Sequence, residues 1–146
     1  MSAPVTPLKL LVAIDGKPPG EVAARFVVRL LAAGLDAEVH LLNVQPVVES
    51  GHLRMFVSAD ELQGWYREEG LAALAGARAI FEAASVVATP HVAVGHAAET
   101  IERFAIEKAA DLLVIGAGTP ALSGLLLGSV ASPLLKGSGI PVLVAR

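Results

Sequence analysis

Leu112-Leu113-Val114-Ile115-Gly116-Ala117-Gly118-Thr119-Pro120, continuing through Gly124, Gly128, Ser129 and Pro133 to Leu135, carries no charged side chain. As one helix it would be long enough to span a bilayer. Four glycines and two prolines interrupt it, and each break facing hydrocarbon would leave backbone groups unpaired at a cost of several kcal/mol. The run divides instead into a short buried strand, Leu112 to Ile115, a small-residue loop, and a last helix. Ser129 is the expected cap of that helix, Lys136 its approximate end, and Pro133 falls early in it. Strand, glycine loop and helix form the repeating unit of an α/β protein, so the membrane reading is set aside.

The same alternation extends outward in both directions. Leu8 to Ile14 is a mostly apolar run that stops at Asp15-Gly16, as a strand buried on both faces would. Val22, Ala23, Phe26, Val27, Leu30 and Leu31 then recur at helical spacing, with Gly34 as the stop. Ala37 to Val44 reads as the second strand, ended by Pro46, and Val47 to Val57 as a loop. Ala59 to about Ala84 reads as the longest helix, His91 to Val94 as a brief third strand beyond Pro90, and Ala97 to Ala109 as a helix. Pro141 to Ala145 is the fifth strand. Such alternation implies right-handed crossovers, hence an open five-stranded parallel sheet with helices on both faces.

Length and composition narrow the function. The 146 residues suit a single domain, residues 1–146. A net charge of −3 offers no basic footprint for nucleic acid or an anionic membrane. With no cysteine there is no disulfide framework, thiol catalysis or thiolate metal site, and the expected compartment is the cytoplasm. The apolar run Leu10 to Ile14 lacks a preceding basic region, so no signal peptide is expected and the mature chain should begin near Met1.

In open sheets ligands bind beyond the carboxyl ends of the strands, where strand order reverses. The loop from Gly116 to Gly128 fits phosphate there: glycine admits an anion close to the backbone. The amides of Gly128, Ser129 and Val130, at a helix start, would point outward unpaired. The alternative is a turn whose glycines only permit tight packing and whose Ser129 only caps. Gly116-x-Gly118-x-x-Ala121 resembles a dinucleotide fingerprint, but no Asp or Glu follows Asp111 to hold a ribose. Neither a P-loop nor a nucleophile elbow is present. His40, His52, His91 and His96 form no close pair in sequence of the kind that ligates metal, and His96 reads as a loop residue.

Several motifs together resemble the universal stress protein family of nucleotide-binding type, described by Gly-x2-Gly-x9-Gly-(Ser/Thr) after strand four. This chain supplies Gly118-x9-Gly128-Ser129, framed by Ala109-Ala110-Asp111-Leu112-Leu113-Val114-Ile115-Gly116, by Leu126-Leu127-Gly128-Ser129-Val130 and by Ile140-Pro141-Val142-Leu143-Val144. Val12-Ala13-Ile14-Asp15-Gly16, Leu41-Leu42-Asn43-Val44 and Gly95-His96-Ala97-Ala98-Glu99-Thr100-Ile101 extend the likeness over nearly the whole chain. Two departures stand out. Ile115 occupies the position of the first motif glycine, so with Gly116 the loop is one residue short. Lys17-Pro18-Pro19 replaces the serine that usually follows Asp-Gly, and Lys17 either grips phosphate or fills the site.

The resemblance implies a Rossmann-like fold of the adenine nucleotide alpha hydrolase kind and an ATP ligand, with or without Mg2+. Asp15 and Val44 would hold the adenosine part and Gly118, Gly128 and Ser129 the ribose and phosphates; Gly116 and Val130 belong to the same expected site, with Gly16 and Lys17 as further candidates. It also implies a homodimer through Pro141 to Ala145, where an apolar edge strand would otherwise expose unpaired backbone. The expected role is a stress or signalling module in which bound ATP changes the order of the loop between Gly116 and Gly128, and through it a partner or dimer surface. No group that would drive more than slow hydrolysis is visible. A nucleotide-free dimeric interaction module is the alternative; an enzyme using Asp15 and His96 ranks below both.

Overall fold

The computed structural model describes residues 6–48, 51–118 and 128–146, with the backbone alone at 52–54. The expected start near Met1, the His52 side chain and loop residues 119–127 lie outside the described residues. In chain order the elements are β1 (Leu8–Ala13), α1 (Pro18–Ala32), β2 (Ala37–Gln45), α2 (Gly51–Phe56), α3 (Ala59–Ala83), β3 (Ala88–Val94), α4 (Ala97–Glu107), β4 (Leu112–Gly116), α5 (Ala131–Gly137) and β5 (Val142–Ala145).

Leu10, Leu11 and Val12 are successive, so they point to opposite faces of β1, and all three are buried. A strand of that kind needs a layer on each side. On one side α1 and α3 bring Val27, Leu74 and Phe81 onto Leu10, Val12 and Leu41. On the other, α4 and α5 bring Ile101, Ala105 and Leu134 onto Leu11, Leu42 and Leu113. The five strands are all parallel, in the order β3-β2-β1-β4-β5. Order therefore reverses at β1, and the carboxyl ends of β1 and β4 open a crevice.

Local stop and start signals act as the residue types require. Beyond α1, Gly34 takes φ +110°, and the amides of Gly34 and Leu35 donate to Leu31 and Leu30, both at 3.1 Å. That pair of bonds satisfies the last carbonyls of α1 and needs a left-handed residue at Gly34. At the head of α3, Ser58 Oγ accepts from the Glu61 amide at 3.1 Å, satisfying one of the donors a helix start leaves open.

Three expectations are corrected. The 47–57 segment contains the helix α2; six residues are too few to show a periodicity. The third strand starts at Ala88 and runs through Pro90. An edge strand leaves alternate N–H groups outside the ladder, so a proline costs it no bond. The last helix starts at Ala131, after Val130, with no side-chain cap, so Ser129 does not cap it; Pro133 sits in its first turn, where amides are unpaired anyway. Among the described residues no helix is long and apolar enough to cross a membrane.

Candidate functional site

A cavity of about 330 Å³ opens where the order reverses, walled by the ends of β1, β2 and β4 and by the starts of α1 and α4. That size falls within the ~300–1,000 Å³ range of small-molecule sites. Asp15, Lys17, Val44, Gly116, Gly118, Gly128, Ser129 and Val130 all line it. The fold thus brings together residues drawn from the two halves of the chain. Gly16 is not on the wall.

Asp15 follows β1 in an exposed turn and its Oδ1 accepts the Lys17 amide at 2.9 Å. This side-chain turn hands the chain to α1, whose first residue is Pro18. Gly16 takes φ +87°, and a Cβ there would lie 3.2 Å from Ala73 of α3, so its place is set by backbone shape and close approach. Beneath Asp15, the buried Asn43 donates through Nδ2 to the Ile14 carbonyl at 2.8 Å and accepts from Gln45 Nε2 at 2.7 Å. Ile14 in turn donates its amide to the Leu42 carbonyl at 2.9 Å. The ends of β1 and β2 are thereby pinned under the Asp15 turn.

Beyond β4 two glycines approach one another closely. Gly118 takes φ +79°, and a Cβ on it would lie 2.9 Å from the Gly128 backbone. The Gly128 amide donates to the Ala117 carbonyl at 3.1 Å. Of the three amides expected to face an anion, Gly128's is therefore already bonded. The Ser129 and Val130 amides have no backbone acceptor among the described residues. Gly116 borders the cavity, but a Cβ there would lie 2.3 Å from the Pro19 carbonyl, so glycine is needed to pack β4 against the start of α1.

Several functional neighbours escape a reading of sequence alone. Asn43 is one; its signal was a polar residue inside an apolar strand. Ala97 and Ile101 of α4 supply the facing wall, for which no local signal exists. His96, preceding α4, does not line the cavity, so Asp15 and His96 do not face one another across it. The histidine reading also changes: His40 Nδ1 and His91 Nε2 meet at 2.8 Å, though no group of three His, Cys, Asp or Glu among the described residues is arranged to hold a metal.

Comparison with known proteins adds to this geometry. A model of the universal stress protein family matches residues 8–146. Universal stress protein MJ0531 of Methanocaldococcus jannaschii is 32% identical over 139 residues, covering 94% of this chain and 81% of the relative. Universal stress protein YxiE of Bacillus subtilis is 34% identical over 146 residues, covering 94% and 98%. Among solved structures, that of the hypothetical protein MJ0577 superposes with TM-score 0.76 at 28% identity over 97% of this chain and 96% of its own. A universal stress protein in complex with cAMP gives 0.70 at 24% identity, covering 95% and 97%. An Arabidopsis thaliana member with AMP bound gives 0.67 at 18%, covering 95% and 91%. At such identity the last two speak to the fold.

Proposed function

Since this chain belongs to the universal stress protein family, we propose that residues 1–146 act as a single cytoplasmic domain that binds ATP, alone or as its Mg2+ complex, and signals to a protein partner by binding rather than turnover. The observation that carries this is the cavity at the reversal of strand order, lined by Asp15 beyond β1 and by Gly118 and Gly128 beyond β4. Proteins of this fold have been solved with cAMP and AMP, which supports an adenine nucleotide as the ligand class. Asp15 and Val44 take the adenosine end; Gly118, Gly128, Ser129 and Val130 take the phosphate end. Lys17 is the only cation among the described residues on the wall, and residues 112–135 carry no charge at all. Lys17 stands beside Asp15, whose Oδ1 accepts its amide, and either grips a phosphate from there or fills the site.

Asp15 and Lys17 are the only titratable side chains on the described wall, and in this reading Asp15 holds the adenosine part. Pure protein should turn ATP over more slowly than about once per minute. The two sheet edges differ: β3 is blunted by Pro90, whereas β5 carries neither proline nor charge. An unblunted apolar edge invites pairing with a second copy, so the homodimer forms through β5.

A second reading, a nucleotide-free interaction module, is favoured by the bond from the Gly128 amide to Ala117, which leaves the short loop one donor fewer for phosphate. Calorimetric titration with ATP and Mg2+ separates the two. Micromolar binding that the Gly128→Ala variant weakens at least about tenfold supports the nucleotide reading. No heat from folded, nucleotide-free protein establishes the second.

A further inference from the structure

Away from the cavity, on the sheet face covered by α4, three polar side chains form a line. His40 Nε2 lies 2.6 Å from Glu38 Oε1, and His40 Nδ1 lies 2.8 Å from His91 Nε2. The ring centroids of His40 and His91 are 5.1 Å apart with 25° between planes. An N···N distance of 2.8 Å inside that separation leaves about one ring radius on either side, so the rings meet edge to edge with their nitrogens aimed at each other. Two nitrogens facing head-on hold a proton; they leave no apex for a metal.

The proton count follows from the acceptors. The Glu38 carboxylate only accepts, so His40 Nε2 carries hydrogen. With both rings neutral, His91 Nε2–H donates to His40 Nδ1. One added proton leaves an N–H···N bond between the rings. A second sets two N–H groups against each other at a hydrogen-bond distance and brings two positive charges together, and the contact breaks.

Around the line, Lys9 of β1 donates its Nζ to the Lys108 carbonyl at 2.9 Å and its amide to Asp111 at 2.7 Å. Lys108, just past α4, sets its ammonium 5.6 Å from the centre of the Phe104 ring. Burial, and then the charges of His40 and Lys108, hold His91 below the ordinary histidine range. The hydrogen bond from His40 holds Glu38 low, against a smaller opposing effect of burial and with help from the charges of His40 and Lys9.

Phe104 of α4 rests on His91, its ring centroid 5.1 Å away and tilted 57°. The same helix presents Ala97 and Ile101 to the cavity. We propose that the His40–His91 pair is a one-proton latch that seats α4, so that acidification frees the helix and opens the wall of the ligand cavity. His40 is held by Glu38, whereas His91 lies on the edge strand β3 with solvent beside it, so His91 is the ring that leaves and it carries Phe104 with it. The sign is fixed by linkage. A histidine held low when folded contributes stability that is present above the ordinary histidine pKa near 6.5 and lost as pH falls through its lower folded value.

The effect on ligand rests on the nucleotide reading; the latch does not. Amide-exchange protection factors of α4, referred to those of β1, are measured at about pH 7.5 and about pH 5 for the natural chain, His91→Gln and His91→Phe. The first variant keeps a donor for His40, and the second keeps an apolar seat for Phe104. Relative protection of α4 should fall at least about tenfold in the natural chain and stay flat in both variants. Equal falls in all three, or no fall, overturn the latch, as do NMR titrations in which His40 and His91 protonate independently. Beyond the change from the ligand's own titration, which is common to all three, ATP affinity should fall about tenfold over the same window only in the natural chain. A working latch with unchanged ATP affinity overturns the coupling, while no ATP binding at either pH sinks the nucleotide reading and leaves α4 protection to decide the latch.

Discussion

Glycine is required for different reasons at different places in this site, and the reasons separate experimentally. Gly118 combines φ +79° with a neighbour 2.9 Å from any added Cβ, whereas a Cβ on Gly128 would meet the Gly118 Cα at 3.5 Å, an ordinary contact. Gly118→Ala should lower unfolding free energy by about 1–3 kcal/mol. Gly128→Ala should leave it within about 0.5 kcal/mol while placing a methyl on the cavity wall. Urea midpoints for both variants check this, and equal losses would mean that the Gly118 geometry is not what distinguishes the two residues. The stability of Gly128→Ala also decides whether its weaker ATP binding reports on the site or on unfolding.

Elements carry their own signals. α3 runs for 25 residues over one face of the sheet, and its first turn is held by the Ser58 hydroxyl on the Glu61 amide. Removing that acceptor in Ser58→Ala should cost about 1 kcal/mol. Thermal unfolding should detect the loss, and Ser58→Asp, which restores an oxygen and favours the positive end of the helix, should recover it. Helix stops and starts of this sort are written in a few neighbouring residues and are legible without coordinates. The six-residue α2 and the first half of β3 were not, because a short helix has no repeat to read and Pro90 disguises a strand that happens to lie at an edge.

For the whole molecule, the open question is what covers β5. The carbonyls of Pro141 and Ala145 accept from Leu113 and Ala117, so by alternation the backbone groups of Val144 point away from the sheet. Val144→Pro removes an outward donor without touching the ladder to β4. In sedimentation at about 10 μM the natural chain should run as a dimer and this variant as a monomer with its fold retained. A variant that stays dimeric would place the interface elsewhere.

The layers of this protein are written in its local residue patterns. A strand buried on both faces, an amphipathic repeat and a glycine stop are properties of neighbouring residues, and their alternation admits few arrangements besides a parallel sheet between two helical layers. Asp15, Val44 and the glycines on the cavity wall could be named from the strand ends for the same reason, with the family likeness selecting among them. Tertiary structure alone decided which of those residues are free to act. Gly116 packs on Pro19, the Gly128 amide is taken by Ala117, and α4 forms the facing wall. His40 and His91, 51 positions apart in sequence, meet because β2 and β3 are neighbours. Hydrophobic periodicity is local and survives in one dimension, whereas a hydrogen-bond partner is set by strand order and register, which only the folded chain fixes.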